Sequence, residues 1–132
     1  MKPDRRGHSV AVVSADPLLA ALIGAAVELV GYRPAFLRDG EADIDAIRRT
    51  RAIAVLLDIA HPSAGDQTLL GRALMTGARV IVFGSSDALR HARPLLAHYR
   101  LEELPMPEGI ESLAEVLARS HPLVRPNEQV KH

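Results

Sequence analysis

The segment Ala52–Ile59 constrains the fold more than any other part of the chain, because Asp58 is its only polar residue. A strand without alternation of polar and apolar residues is covered on both faces, which is typical of a parallel sheet between two layers of helices. The segments Ser9–Val13 and Arg79–Phe83 are similarly apolar. They predict two further strands in the middle of the same sheet.

A helix is predicted between the first two strands. Asp16 suits the N-cap and Pro17 the first helical position, while Gly31 suits the residue after the helix ends. Apolar residues that recur at helical spacing predict the face of this helix that packs on the sheet. They are Leu18, Leu19, Leu22, Ile23, Ala26, Val27 and Val30.

The same alternation of strand and helix continues along the chain. Shorter strands are predicted at Pro34–Leu37 and Glu103–Met106, and Asp39-Gly40 is a turn signal. Further helices are predicted over Glu41–Arg49 with Ile44 and Ile47 inward, from the cap Asp66 to Thr76, from the loop Gly84–Asp87 to Tyr99, and around Ile110, Leu113, Val116 and Leu117. Pro94 predicts a kink or a late start in the helix that contains it.

Five strand–helix units joined by right-handed crossovers predict an α/β fold of three layers, a five-stranded parallel sheet with helices on both faces. The predicted domain covers residues 8–120. A flexible N-terminal segment, residues 1–7, and a C-terminal tail, residues 121–132, are predicted to flank it.

Composition excludes several classes of function. The 132 residues include sixteen basic and sixteen acidic side chains, no cysteine and only 3% aromatic residues. A chain without net charge or aromatic platforms is not expected to bind nucleic acid directly, and the absence of cysteine excludes disulfides and thiolate metal sites. The longest apolar stretch, Leu18–Val27, is too short for a membrane span. We expect a cytoplasmic protein that does not bind membranes.

The carboxyl ends of parallel strands form the crevice in which such folds bind ligands. Seven residues are predicted around this crevice: Ser14, Ala15, Asp16, Asp58, Gly84, Ser85 and Met106.

Several short motifs, in order and at matching spacing, resemble the receiver domains of response regulators, the CheY-like family. They are Val13-Ser14-Ala15-Asp16-Pro17-Leu18-Leu19, Gly31-Tyr32, Asp39-Gly40-Glu41-Ala42, Leu56-Leu57-Asp58 with Pro62, and Pro107. The resemblance covers roughly Ser9 to Arg119 and implies the flavodoxin-like order of a CheY-like sheet. It also implies that Asp58 is the equivalent of the phosphoacceptor.

The departures from the family are found at the residues that receivers use for phosphorylation. The resemblance places the acidic pair that holds Mg²⁺ at Ser14 and Ala15, neither of which is charged. Asp16 is acidic but lies one position late and suits a helix cap. A magnesium ion is therefore expected only if Asp16 and Asp58 share it, and we predict no other cofactor.

The remaining site positions have also changed. The hydroxyl residue of the family falls on Gly84, and Ser85 replaces it only if the strand end shifts by one residue. The family's lysine falls on Met106, whose thioether cannot pair with a phosphoryl oxygen. Two interpretations of Asp58 stay open: a residual switch, or a solvated carboxylate that only accepts N–H groups of the following loop.

These features predict an atypical receiver-like signalling module, not an enzyme, that binds a protein partner or forms a homodimer without phosphorylation. The alternative is a phosphoacceptor that uses Asp58 in a phosphorelay, and a weaker one is a sensor of a small apolar ligand near Met106. Small residues on the outer side of the first helix, which allow close approach of another helix, predict the interface. They are Ala20, Ala21, Gly24 and Ala25.

A second candidate face carries mixed charges on the fourth helix, the last strand and the last helix. Other motifs in the chain are weak. Asp58, His61 and Gly65 do not have the spacing of a cobalamin site, no glycine-rich loop follows the first strand, and Ser85 lacks the sequence of a nucleophile elbow. No spacing of the six histidines predicts a metal site.

Overall fold

The computed structural model describes residues 8–38 and 40–119, which form one five-stranded parallel sheet. The strands are β1 (Ser9–Val13), β2 (Arg33–Ala35), β3 (Ala54–Asp58), β4 (Arg79–Gly84) and β5 (Glu102–Pro105). Their spatial order is β2-β1-β3-β4-β5. The predicted α/β fold class and parallel sheet are confirmed. The predicted segment 1–7 and tail 121–132 lie outside the described residues.

The connecting helices are α1 (Pro17–Leu29), α2 (Asp43–Thr50), α3 (Gln67–Met75), α4 (Ser86–His91), α5 (Arg93–Tyr99) and α6 (Leu113–Ala118). One-turn 3₁₀ segments precede α3, at Pro62–Gly65, and α6, at Glu108–Ser112. None of the helices in the described part of the chain has the length and apolar content that a membrane span requires.

Two apolar layers enclose the sheet. One contains Ile23 and Val27 of α1 and Leu113 and Leu117 of α6, packed on alternate residues of the strands. The other is formed with α2, α3, α4 and α5, and Ile47 of α2 is fully buried in it. Burial of both sheet faces explains why the central strands lack polar alternation.

Local chemistry fixes most helix ends as predicted. The carboxylate oxygen Oδ1 of Asp16 accepts from the N–H groups of Leu18 and Leu19, and Asp66 caps α3 in the same way. Gly31 and Gly77 follow their helices at positive φ, which glycine adopts without a Cβ penalty.

Some predicted boundaries and one predicted face are wrong. The second strand covers Arg33–Ala35 instead of Pro34–Leu37. The interruption predicted from Pro94 is confirmed, since two helices meet at Ala92 where one interrupted helix was predicted. Leu18 and Leu22 were predicted to face the sheet, but they are 79% and 62% exposed. Helix α1 is apolar on nearly all sides, so helical spacing alone does not select its buried face.

Candidate functional site

The strand register brings the predicted crevice residues to one edge of the sheet. Asp58, the last residue of β3, pairs with Phe83, while Gly84 pairs with Pro105 at the neighbouring strand end. The N–H of Met106 donates to the carbonyl of Gly84 at 2.7 Å. The seven predicted residues therefore follow or end adjacent strands, as expected.

Asp58 is buried, with only 6% of its surface exposed. The hydroxyl Oγ of Ser14 donates to Oδ2 of Asp58 at 2.8 Å, and the N–H of Ala60 donates to Oδ1 at 2.9 Å. The expectation of a solvated carboxylate is wrong, whereas the expected bond from a loop N–H is present. Both oxygens of Asp58 are thus engaged by neutral donors of the protein itself.

The residues after β1 supply no second carboxylate to this pair. Ser14 uses its hydroxyl to donate to Asp58 and to accept from the N–H of Asp16 at 3.2 Å. Ala15 is exposed, and the Asp16 side chain caps α1. The interpretation of Asp16 as a helix cap is confirmed.

The end of β4 is closed by a side chain that sequence reasoning missed. A Cβ built on Gly84 would lie 2.4 Å from Cγ2 of Ile59, so Ile59 occupies the space that a larger residue at position 84 requires. Ser85 cannot replace the missing hydroxyl, because β4 ends at Gly84 and Oγ of Ser85 accepts from the N–H of Ala88 as the cap of α4.

Met106 faces the layer that contains α1. It is partly buried against the apolar cluster of α1 and α6, and its peptide bond to Pro107 is cis. It also lines a hollow of about 380 Å³ between α1 and the segment that follows β5. Met106, to which the resemblance assigns the family's lysine position, therefore forms part of the apolar wall of this hollow.

The donors present do not fit a magnesium ion. Mg²⁺ in proteins prefers carboxylate oxygens and ordered water in an octahedral arrangement. The carboxylate of Asp16 accepts from N–H groups of its own helix, and positions 14 and 15 carry no carboxylate. Within the described ranges, no group of three or more histidine or acidic side chains is placed to hold a metal.

The predicted interface on α1 needs correction at two of its four residues. Gly24 is buried under Phe36, whose Cζ would lie 2.5 Å from a Cβ at position 24. Ala20 is partly buried against the core, and only Ala21 and Ala25 are exposed. Large apolar side chains dominate the exposed surface of α1 instead.

The mixed-charge face forms ion pairs within the chain. Glu102 lies between Arg79 and Arg119, and Arg93 lies 3.8 Å from Glu103. Ion pairs that are partly or fully exposed contribute little to stability and are common on solvated surfaces. This face therefore gives no indication of a partner.

No family model and no curated protein matches the chain. Several solved structures match the chain. A response-regulator receiver protein from Burkholderia phymatum aligns with a TM-score of 0.70 and 18% identity, over 90% of this chain and 98% of that one. The receiver domain of a Pseudomonas aeruginosa PAO1 sensor histidine kinase, with a magnesium ion coordinated in its active-site cleft, aligns with a TM-score of 0.68 and 24% identity, over 86% and 96%.

A third similar structure belongs to a family described as redox sensors of the streptococci that evolved from two-component response regulators. Its TM-score is 0.66 at 14% identity, and the alignment covers 86% of this chain and 50% of that one. These identities establish the fold alone. The chain has the fold of response-regulator receiver domains, as the sequence motifs predicted.

Proposed function

We propose that this chain is a receiver-like signalling module that acts by protein–protein contact, without phosphorylation of Asp58 and without an enzymatic activity of its own. The observation that carries the proposal is the closed environment of Asp58. Its buried carboxylate accepts from the Ser14 hydroxyl and from the Ala60 N–H.

Phosphoryl transfer to a carboxylate brings two negatively charged groups together, and catalysis depends on cations that neutralise them. The chain offers Ser14 and Ala15 in place of the acidic pair and Met106 in place of the lysine. Each missing electrostatic contribution is worth several kcal/mol of barrier in comparable chemistry. Asp58 is accordingly a structural acceptor of hydrogen bonds.

A receiver fold can serve a signal other than phosphate. One structure similar to this chain belongs to redox sensors described as having evolved from response regulators, which supports a change of input within this fold. This chain has no cysteine, so a thiol-based signal is excluded. A net charge of zero favours a protein partner over nucleic acid or an anionic membrane, and a cytoplasmic location is part of the proposal.

The test is incubation with acetyl phosphate, and separately with beryllofluoride, in the presence of Mg²⁺. We expect no phosphoryl adduct in the intact mass and unchanged amide NMR signals around Asp58. The Asp58→Asn variant, treated in parallel, controls for modification elsewhere. An adduct that is present in the wild type and absent from this variant would reject the proposal and favour the phosphorelay alternative.

A gain-of-function variant makes a negative result informative. Replacing Ser14 and Ala15 with aspartate restores acidic ligands next to Asp58. If missing charge is what prevents Mg²⁺ binding, the double variant should show Mg²⁺-dependent shifts of the amide signals near these residues, and the wild type should not.

A further inference from the structure

Helix α1 carries an apolar stripe that is exposed in the part of the chain that the structure describes. Leu18, Leu22 and Leu29 are 79%, 62% and 87% exposed, and Ala25 is also exposed. These four residues, here called the α1 seam, follow one another at intervals of four, three and four residues. That spacing is the one by which helices pair along a coiled-coil stripe.

The seam borders the apolar hollow of about 380 Å³. Leu22 and Leu29 form one wall, while Met106, Pro107 and Ile110 form the other. Protruding leucines and a hollow therefore lie side by side on the same surface. A surface with both features can complement itself, which is what a two-fold dimer requires.

We infer that the occupant of this surface is a second copy of the chain, bound through antiparallel α1 helices. The inference rests on the proposed function, since it names the partner of the binding module. The seam reads with the same intervals in both directions, so antiparallel helices place Leu18 opposite Leu29 and Leu22 opposite Ala25. The central layers then pair a large with a small side chain, which lets the helices approach closely.

A parallel pair is less favourable. It would set Ala25 against Ala25 and leave a gap between the helices in that layer. The antiparallel arrangement sets Ala25 against Leu22 and has no such gap.

The charges agree with an antiparallel pair. Glu28 is the only charged residue of α1 and lies in its last turn, where the helix dipole disfavours an acidic side chain. In an antiparallel pair it lies near the N-terminal end of the partner helix, where the dipole favours it. A chain with zero net charge also has no net repulsion from its own copy.

The first experiment measures the oligomeric state of the full chain by sedimentation velocity over a range of micromolar concentrations. We expect a concentration-dependent dimer. Leu22→Glu should raise the dissociation constant by at least about 100-fold, because pairing would bury an uncompensated charge. Ala25→Glu should act likewise if Leu22→Glu folds poorly by circular dichroism.

Met75→Glu is the matched control, since Met75 is 87% exposed on α3, away from the seam. It introduces the same charge at an exposed apolar position and should leave the dimer intact. A wild-type chain that stays monomeric across the range, or a dimer that Leu22→Glu leaves unchanged, refutes the inference.

The second experiment determines the relative orientation of the two α1 helices by disulfide cross-linking. The chain has no native cysteine, so only the introduced thiols can react. In an antiparallel pair, position 18 faces position 29 of the partner, while the two copies of position 18 lie about 16 Å apart along the axis. Mixing Leu18→Cys with isotope-labelled Leu29→Cys under oxidising conditions should give the mixed disulfide. Predominant Leu18→Cys homodimers would overturn the antiparallel arrangement.

These results are independent of the phosphorylation test. A monomer that also takes no phosphoryl group would reject only the second copy as partner. A dimer that is phosphorylated on Asp58 would reject the proposed function and retain the seam.

Discussion

Replacing Ser14 with alanine removes the side-chain donor to Oδ2 of Asp58. The bond measures 2.8 Å, and only 6% of the Asp58 surface is exposed, so little solvent reaches this carboxylate to replace the lost hydroxyl. Hydrogen bonds to charged groups contribute about 1.5–3 kcal/mol, and a buried acceptor left without its partner costs a similar amount. We expect Ser14→Ala to lower the free energy of unfolding by about 2 kcal/mol.

Urea denaturation followed by circular dichroism measures this change. With an m-value of about 2 kcal/mol/M, a loss of about 2 kcal/mol lowers the transition midpoint by about 1 M without altering the slope. A change of slope would indicate a change in the unfolded ensemble instead.

A double-mutant cycle assigns the loss to the pair. In the Asp58→Ala background the Ser14 hydroxyl has lost its carboxylate acceptor, so Ser14→Ala should cost less than about 0.5 kcal/mol. The coupling energy should then be about 1.5 kcal/mol or more. If Ser14→Ala costs the same in both backgrounds, the hydroxyl does not act through Asp58, and the closed environment on which the proposed function rests is refuted.

Three further predictions follow from the same region and from the surface. Gly84→Ala should lower the free energy of unfolding by about 1–3 kcal/mol in urea, because its Cβ meets Ile59, and much less in an Ile59→Ala background. Asp16→Ala should cost about 1 kcal/mol, equally with and without Mg²⁺, because its carboxylate caps a helix. Hydrogen bonds from the Arg49 side chain and the Arg38 N–H lower the pKa of Glu41 from 4.5 to about 2. The contribution of Glu41 to thermal stability should therefore be complete above pH 4.5 and decline toward pH 2. Glu41→Gln should abolish this part of the pH dependence.

Each of these predictions has a matched control and an outcome that contradicts it. Asp66→Ala removes an equivalent cap from α3 and should match Asp16→Ala; a Mg²⁺-dependent loss confined to Asp16→Ala would make Asp16 a metal ligand. Additive costs at Gly84 and Ile59 would mean that the two side chains do not compete for space. An acid profile that Glu41→Gln leaves unchanged would assign the pH dependence to other carboxylates.

The sequence predicts those parts of the fold that depend on neighbouring residues. The apolar segment Ala52–Ile59 predicts a strand covered on both faces, and Asp16 and Gly31 predict where α1 starts and ends, because caps and positive-φ glycines act within one turn. Strand register then brings the crevice residues together, because parallel strands end on one edge of the sheet.

The rest depends on contacts between distant segments. The burial of Asp58 could not be read from its own strand, because its donor Ser14 lies 44 residues earlier. The contact of Ile59 with position 84 likewise depends on the packing of two strand ends. The buried face of α1 was mispredicted because a helix with one charged residue offers several apolar faces.

Met106 links the closed crevice to the apolar surface. Its N–H is bonded to the carbonyl of Gly84 at the strand ends, and its side chain lines the hollow beside Leu22. A lysine here, as the resemblance to receivers places it, would put an ammonium group into that apolar wall, where burying an unpaired charge is unfavourable. Methionine carries no charge and supplies a flexible apolar surface to the hollow. Under the proposed function, one methionine thus serves both features, a crevice without an ammonium group and an apolar surface beside α1.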